Sequence, residues 1–213
     1  MKKDLTEMVW ILDRSGSMSG LESDTVGGFN AMVEKQRRQT GEALVTTVLF
    51  NQESVTLHDR LPIGQVEKLT ERDYSVGGCT ALLDAIGTTV RRIAAIHRYA
   101  RPEDVPEHTV FVITTDGMEN DSRSFTKEQV KALIQQQQER GWEFLFLGAN
   151  IDAIATAGQF GIGEDRAVQY HSDSAGTQLN YEVVGEAIAD LRRSQPLRAS
   201  WKQRIEEDYA SRS

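Results

Sequence analysis

The sequence predicts an α/β fold: a doubly wound, mostly parallel sheet with helices on both faces. Three observations carry this reading. Short apolar runs alternate with longer segments of helical spacing along the whole chain. Two β-rich runs lie only a few residues apart, as in a hairpin. Apolar runs also end abruptly in an aspartate, at Asp13 and Asp116, as strands do when they deliver a side chain to the rim of a sheet.

The elements follow in order. Met8–Leu12 reads as a buried strand, and Glu22 to Arg38 as a helix with Val26, Phe29, Met32 and Val33 at helical spacing. "ALVTTVLF" (Ala43–Phe50) is rich in β-branched residues, and "NQES" then joins it to "VTLHDRL". Thr80 to Arg98 is helical, with Leu82, Leu83, Ile86, Val90, Ile93 and Ile96 apolar. "HTVFVITTDG" (His108–Gly117) is a further buried strand, Thr126 to Arg140 a helix, and "WEFLFLGAN" (Trp142–Asn150) a strand. Ile151–Gly158 reads as a short helix, Ala167–Tyr170 as a last short strand and Ser174–Arg193 as a helix that Pro196 brings to a stop. Strand–helix alternation gives parallel pairing with right-handed crossovers. The result is a Rossmann-like, six-stranded sheet with one antiparallel edge strand. Residues 1–195 form this domain. Residues 196–213 form a tail expected to be helical, with Trp201, Ile205 and Tyr209 four apart on one face. Gln135–Gln138 falls within a helical pattern and is expected on a solvated face.

Composition narrows the function classes. Apolar residues make up 39% of the 213, enough for a core of this size. The net charge of -8 argues against non-specific nucleic-acid binding and against docking on anionic lipid. The single cysteine, Cys79, forms no intrachain disulfide, which fits a reducing compartment. The opening "MKKDLTEMVWILD" has too short an apolar run for a signal peptide. No stretch approaches the roughly 20 apolar residues of a membrane span. The expected location is the cytoplasm.

The chemistry gathers in three loops. In "DRSGSMSG", Asp13, Ser15 and Ser17 fall at alternate positions after the first strand, with Gly16 expected to relieve the bend. In "GGCTALLDA", Thr80 opens a helix, and in "FVITTDGMEN" Asp116 closes a strand. If the strands ending at Asp13 and Asp116 are neighbours, these five residues converge. Two carboxylates and three hydroxyls are hard oxygen donors suited to Mg²⁺, Mn²⁺ or Ca²⁺ rather than zinc or copper. The two carboxylates neutralise a divalent ion and leave it electrophilic toward a further anionic oxygen. Each signal alone has an ordinary reading as a turn or helix cap; their placement on successive loops at one sheet rim does not. Cys79 is expected to pack rather than react, and Glu119, Asn120 and Asp121 are expected to be solvated.

These three stretches resemble the three loops of von Willebrand factor type A domains, over roughly Thr6 to Arg193, and in particular the small stand-alone intracellular bacterial members. The resemblance implies a metal-ion-dependent adhesion site with Asp13, Ser15, Ser17, Thr80 and Asp116 as ligands. It implies Mg²⁺ as the usual ion, with Mn²⁺ or Ca²⁺ possible. It also implies a binding role, in which an Asp or Glu of a partner protein is gripped through the ion.

Two other classes stand beside a binding module. One is an adaptor subunit of an ATPase or stress-response complex, docked through the tail. The other is a metal-dependent hydrolase, which needs a base near the ion. Of His58, His97, His108 and His171, only His171 lies where it could approach. No phosphate-binding loop is present, because "GGCTALLD" lacks the lysine such a loop needs.

Overall fold

The computed structural model describes residues 1–212. Six strands form one sheet: β1 (Lys2–Asp13), β2 (Glu42–Phe50), β3 (Ser54–Pro62), β4 (Pro106–Thr115), β5 (Glu143–Ala149) and β6 (Ala167–Tyr170), in the spatial order β3-β2-β1-β4-β5-β6. β3 pairs antiparallel with β2 at the edge, and every other pair is parallel. The chain runs outward from β1 to β3, then returns to build β4 on the other side of β1. The order therefore reverses between β1 and β4, the place where ligands bind in open α/β sheets.

Six α-helices accompany the sheet: α1 (Glu22–Arg37), α2 (Leu82–Tyr99), α3 (Lys127–Gln138), α4 (Ala153–Gln159), α5 (Ser174–Arg192) and α6 (Gln203–Ser211). Side-chain alternation along the strands divides the apolar residues into two cores. Met8, Trp10, Leu12, Val110, Val112, Leu145 and Leu147 face α1 and α5. Val9, Ile11, Phe111, Ile113, Phe144 and Phe146 face α2, α3 and α4. On the first face Trp10 stacks on Tyr181 and meets Phe29 edge-on. On the second, Trp142 stacks on Phe111.

β1 is much longer than the expected Met8–Leu12. Its first half carries charges that hide the strand pattern, yet it is paired on both sides. Glu7, fully buried there, binds Arg60 from β3 (Nε to Oε1, 2.6 Å) and His97 from α2 (2.6 Å). Burial raises the Glu7 pKa; the bonds from His97 and Arg60 outweigh it and hold the carboxyl below its ordinary value. Gln137, expected on a solvated face, is buried, because α3 turns it inward one turn after Ile134 and two turns after Val130.

The chain after Pro196 packs back on the domain. Ile205 is buried, Trp201 donates its indole N–H to the Asp165 carbonyl, and Lys202 reaches the carbonyls of Glu164 and Ala167. Tyr209 stacks on His171 with ring centres 4.5 Å apart. Among the described residues no helix is long and apolar enough to cross a membrane.

Candidate functional site

β1 and β4 end side by side, so Asp13 and Asp116 meet at the rim of the sheet. Asp13 accepts the Ser15 N–H on Oδ1 (2.7 Å) and the Thr115 hydroxyl on Oδ2 (2.5 Å). The Ser17 hydroxyl donates to Asp116 Oδ1 (2.5 Å) and lies 3.1 Å from the Ser15 hydroxyl. Thr80 joins them from the loop before α2. A Cβ built on Gly117 would lie 3.3 Å from both the Ser17 and the Thr80 hydroxyl, and 3.9 Å from that of Ser15. Gly117 thus lines a cradle that any side chain at this position would begin to fill. All five residues expected at the site are brought together. Asp13, Ser15, Thr80 and Asp116 are buried and Ser17 is exposed, so the cluster opens to solvent on the side of Ser17.

The electrostatics of this corner are unfavourable for two bare carboxylates. Burial raises the Asp13 pKa against the lowering bonds from Thr115 and Ser15. Burial likewise raises Asp116, and the Asp13 charge adds to it, against the lowering bond from Ser17. The Ser172 side chain lies close enough to favour the charged form of Asp116. Yet Asp116 Oδ2 is buried with no partner at hydrogen-bond distance. A buried carboxylate oxygen without a donor is costly. Among the described residues no group of three or more His, Cys, Asp and Glu side chains is arranged to hold a metal; this cluster has two carboxylates, and its other oxygens are hydroxyls.

Several supporting residues were not legible in the motifs. The Tyr74 hydroxyl, fully buried, donates to the Asp13 carbonyl and so fixes the end of β1 from the far side. Thr115 braces the Asp13 carboxylate; its position just before the aspartate of the third loop was the one available clue. Asn120 is exposed, as expected, whereas Glu119 and Asp121 are half-buried, and all three side chains also tie the loop together. Glu119 accepts the N–H of Leu83 in the first turn of α2 (2.8 Å), together with the N–H groups of Asp121 and Ser122. Asn120 accepts the Thr80 N–H (2.8 Å). Asp121 is half-buried and pairs with the exposed Arg123.

The turn chemistry is also corrected. Gly16 has no positive φ, and a Cβ there would make an ordinary contact with the Gly78 carbonyl at 3.5 Å. The left-handed backbone belongs to Gly20 (φ 92°) at the end of the first loop and to Gly78 (φ 81°) in the second. Cys79, expected to pack, is exposed, because this loop lies on the surface with its N–H bonded to the Gln52 side chain. His171 packs against the C-terminal segment, its Nε2 bonded to the Tyr209 carbonyl (3.0 Å).

At the level of sequence no family model matches the chain, and no curated protein does. Solved structures do match. Proximal thread matrix protein 1 from the mussel byssus is 15% identical, with a TM-score of 0.63 over 89% of this chain and 48% of that one. A further structure of that protein has a zinc-occupied metal-ion-dependent adhesion motif. The von Willebrand factor domain of the type V pilus tip protein Mfa5 of Porphyromonas gingivalis is 10% identical, with a TM-score of 0.57 over 86% of this chain and 96% of that one. Manganese-loaded TRAP protein of Plasmodium vivax is 15% identical, with a TM-score of 0.50 over 70% and 58%. The chain spans about half the length of the mussel protein. At these identities it is the fold alone that is shared; in this chain it is a six-stranded sheet with one antiparallel edge strand, its order reversing beside the Asp13–Asp116 corner. The chain has the von Willebrand factor type A fold.

Proposed function

We propose that this chain is a metal-dependent protein-binding module, in which Asp13, Ser15, Ser17, Thr80 and Asp116 hold a divalent cation that takes a carboxylate from a partner protein. The observation that carries the reading is the unpartnered, buried Oδ2 of Asp116, next in the chain to Gly117, around which the hydroxyls of Ser15, Ser17 and Thr80 gather. The donor set fits a hard cation: all five side chains offer oxygen, and the cradle at Gly117 leaves space among them. Mg²⁺ is the favoured ion, with Mn²⁺ or Ca²⁺ as substitutes. Among structures of similar fold, one has a zinc-occupied adhesion motif and one is manganese-loaded, which supports a divalent ion as such. When bound, the cation supplies a positive centre for a further anionic oxygen.

The protein's own part is positional. Asp13 and Asp116 provide two negative charges, Ser15, Ser17 and Thr80 provide neutral oxygens, and Thr115 and Tyr74 hold Asp13 in place. The net charge of -8 repels an acidic partner at long range, so recognition depends on contact with the ion. The same charge supports a protein partner rather than nucleic acid or a membrane surface. A binding rather than catalytic role is supported by the histidines, which are engaged elsewhere. His97 is bonded to Glu7, His58 to Thr47, His108 to Ser194 and His171 to Tyr209. We place the module in the cytoplasm. An adaptor role in a larger complex is a special case of this reading.

The test is affinity capture on the full chain from its native cell, run with Mg²⁺, with chelator, and with Asp13→Ala. One partner lost in both controls is the expected result. A partner retained in both shows that the grip does not pass through the ion, and the proposal fails.

A further inference from the structure

We infer that Asn120 is a positioning residue for the metal site, setting the Thr80 hydroxyl by clasping the Thr80 backbone; this rests on the metal-binding reading above. Thr80 lies just outside α2, so no helical or strand ladder fixes its backbone. Asn120 does so from both sides. Its Oδ1 accepts the Thr80 N–H (2.8 Å), and its own N–H donates to the Thr80 carbonyl (3.0 Å). Threonine is β-branched and restricted at χ1, so fixing its backbone narrows the directions open to its hydroxyl. The neighbours on either side are tied elsewhere: Cys79 N–H to the Gln52 side chain and Ala81 N–H to the Asn51 carbonyl. The clasp is therefore the bond that joins Thr80 itself to the loop carrying Asp116.

The link is separable from the fold. The third loop is also tied to α2 by Glu119 on the Leu83 N–H and by Asp84, which accepts the N–H groups of Arg123, Ser124 and Phe125. The Asn120 backbone bond to Thr80 survives any side-chain change. An Asn120 side-chain variant thus keeps its loop docked while freeing the Thr80 N–H. Partners that orient metal ligands typically contribute about 10–100-fold in metal affinity.

The experiment is a Mn²⁺ titration of the full chain, reading free Mn²⁺ by electron paramagnetic resonance, on wild type, Asn120→Ala, Thr80→Val and the double variant. Thermal melting without metal is measured in parallel. The expected result is a loss of about tenfold or more for Asn120→Ala, with little change in metal-free melting and no further loss in the Thr80→Val background. Asn120→Gln, which moves the same amide outward by one methylene, is expected to lose affinity as well. Wild-type affinity in both Asn120 variants overturns the inference, as does an equal loss with and without the Thr80 hydroxyl. A metal-free melting point that falls in step with affinity also overturns it, by showing a merely structural role. A wild-type chain that does not bind Mn²⁺ overturns the metal reading itself, and this inference with it.

Discussion

The Thr115 hydroxyl donates to Asp13 Oδ2 across 2.5 Å, joining the last residue of β4 to the last residue of β1. The bond lies at the point where the strand order reverses, and it works against the burial that raises the Asp13 pKa. Thr115→Val keeps the shape and removes the proton. Mn²⁺ affinity at neutral pH is expected to fall about tenfold, as for other residues that orient metal ligands, and calorimetric titration measures it. Unchanged affinity shows that Asp13 needs no brace.

Gly117→Ala tests the cradle directly. The added methyl would lie 3.3 Å from the hydroxyls of Ser17 and Thr80. Gly117 has no positive φ, so the backbone tolerates alanine. Metal affinity is expected to drop about tenfold, because ligand geometry must hold to about 0.5 Å. Metal-free melting is expected to move little. A variant that melts early yet binds Mn²⁺ normally contradicts the placement of this cradle.

Glu7 sets an acid limit on stability. Its pKa in the folded chain lies below the ordinary value of 4.5, because His97 and Arg60 outweigh burial. A depressed carboxyl stabilises the fold above its unfolded pKa, and that contribution is lost as pH falls through the folded value. Glu7→Gln is expected to cost about 3 kcal/mol at pH 7, since it removes one member of a buried charged group. The difference from wild type should shrink once the pH drops below about 4.5. Comparing urea denaturation of the two proteins cancels the opposite contributions of Asp13 and Asp116, whose raised pKa values favour folding at lower pH.

Adjacent glycines of α1 should respond with opposite signs. A Cβ on Gly28 would lie 2.3 Å from Cδ2 of Tyr181, which is itself stacked on Trp10. Gly28→Ala is expected to destabilise by about 1–3 kcal/mol through overpacking. A Cβ on Gly27 meets nothing within 4 Å. Gly27→Ala is expected to gain about 0.5–1 kcal/mol from helix propensity and a less flexible unfolded chain. Melting temperatures resolve the pair, at about 2–4 °C per kcal/mol for a chain of this size.

How much was legible in the sequence follows from distance along the chain. Asp13, Ser15, Ser17, Thr80 and Asp116 each sit where an apolar run stops or a helix begins, so local pattern located them. The sheet followed from alternation, including its antiparallel edge. Glu7 was hidden because its partners lie 53 and 90 residues away, and no local rule makes a glutamate the centre of a strand. Asn120 and Glu119 were read as solvated for the same reason. Their acceptor atoms take the N–H groups of Thr80, just before α2, and of Leu83, in its first turn, 40 and 36 residues distant, and only docking of the third loop reveals it. Gly16 lies among the expected ligands and so draws the eye, whereas the left-handed turns fall at Gly20 and Gly78.

The three tryptophans give this molecule an intrinsic optical readout. Trp10 is sealed between β1, α1 and α5, Trp142 lies on the opposite face of the sheet, and Trp201 is half-exposed in the C-terminal segment. Single-tryptophan versions, with the other two replaced by phenylalanine, would emit from three separate regions of one unlabelled chain. Release of the last segment would then be visible as a red shift of Trp201 alone, before either half of the interior loses its blue emission.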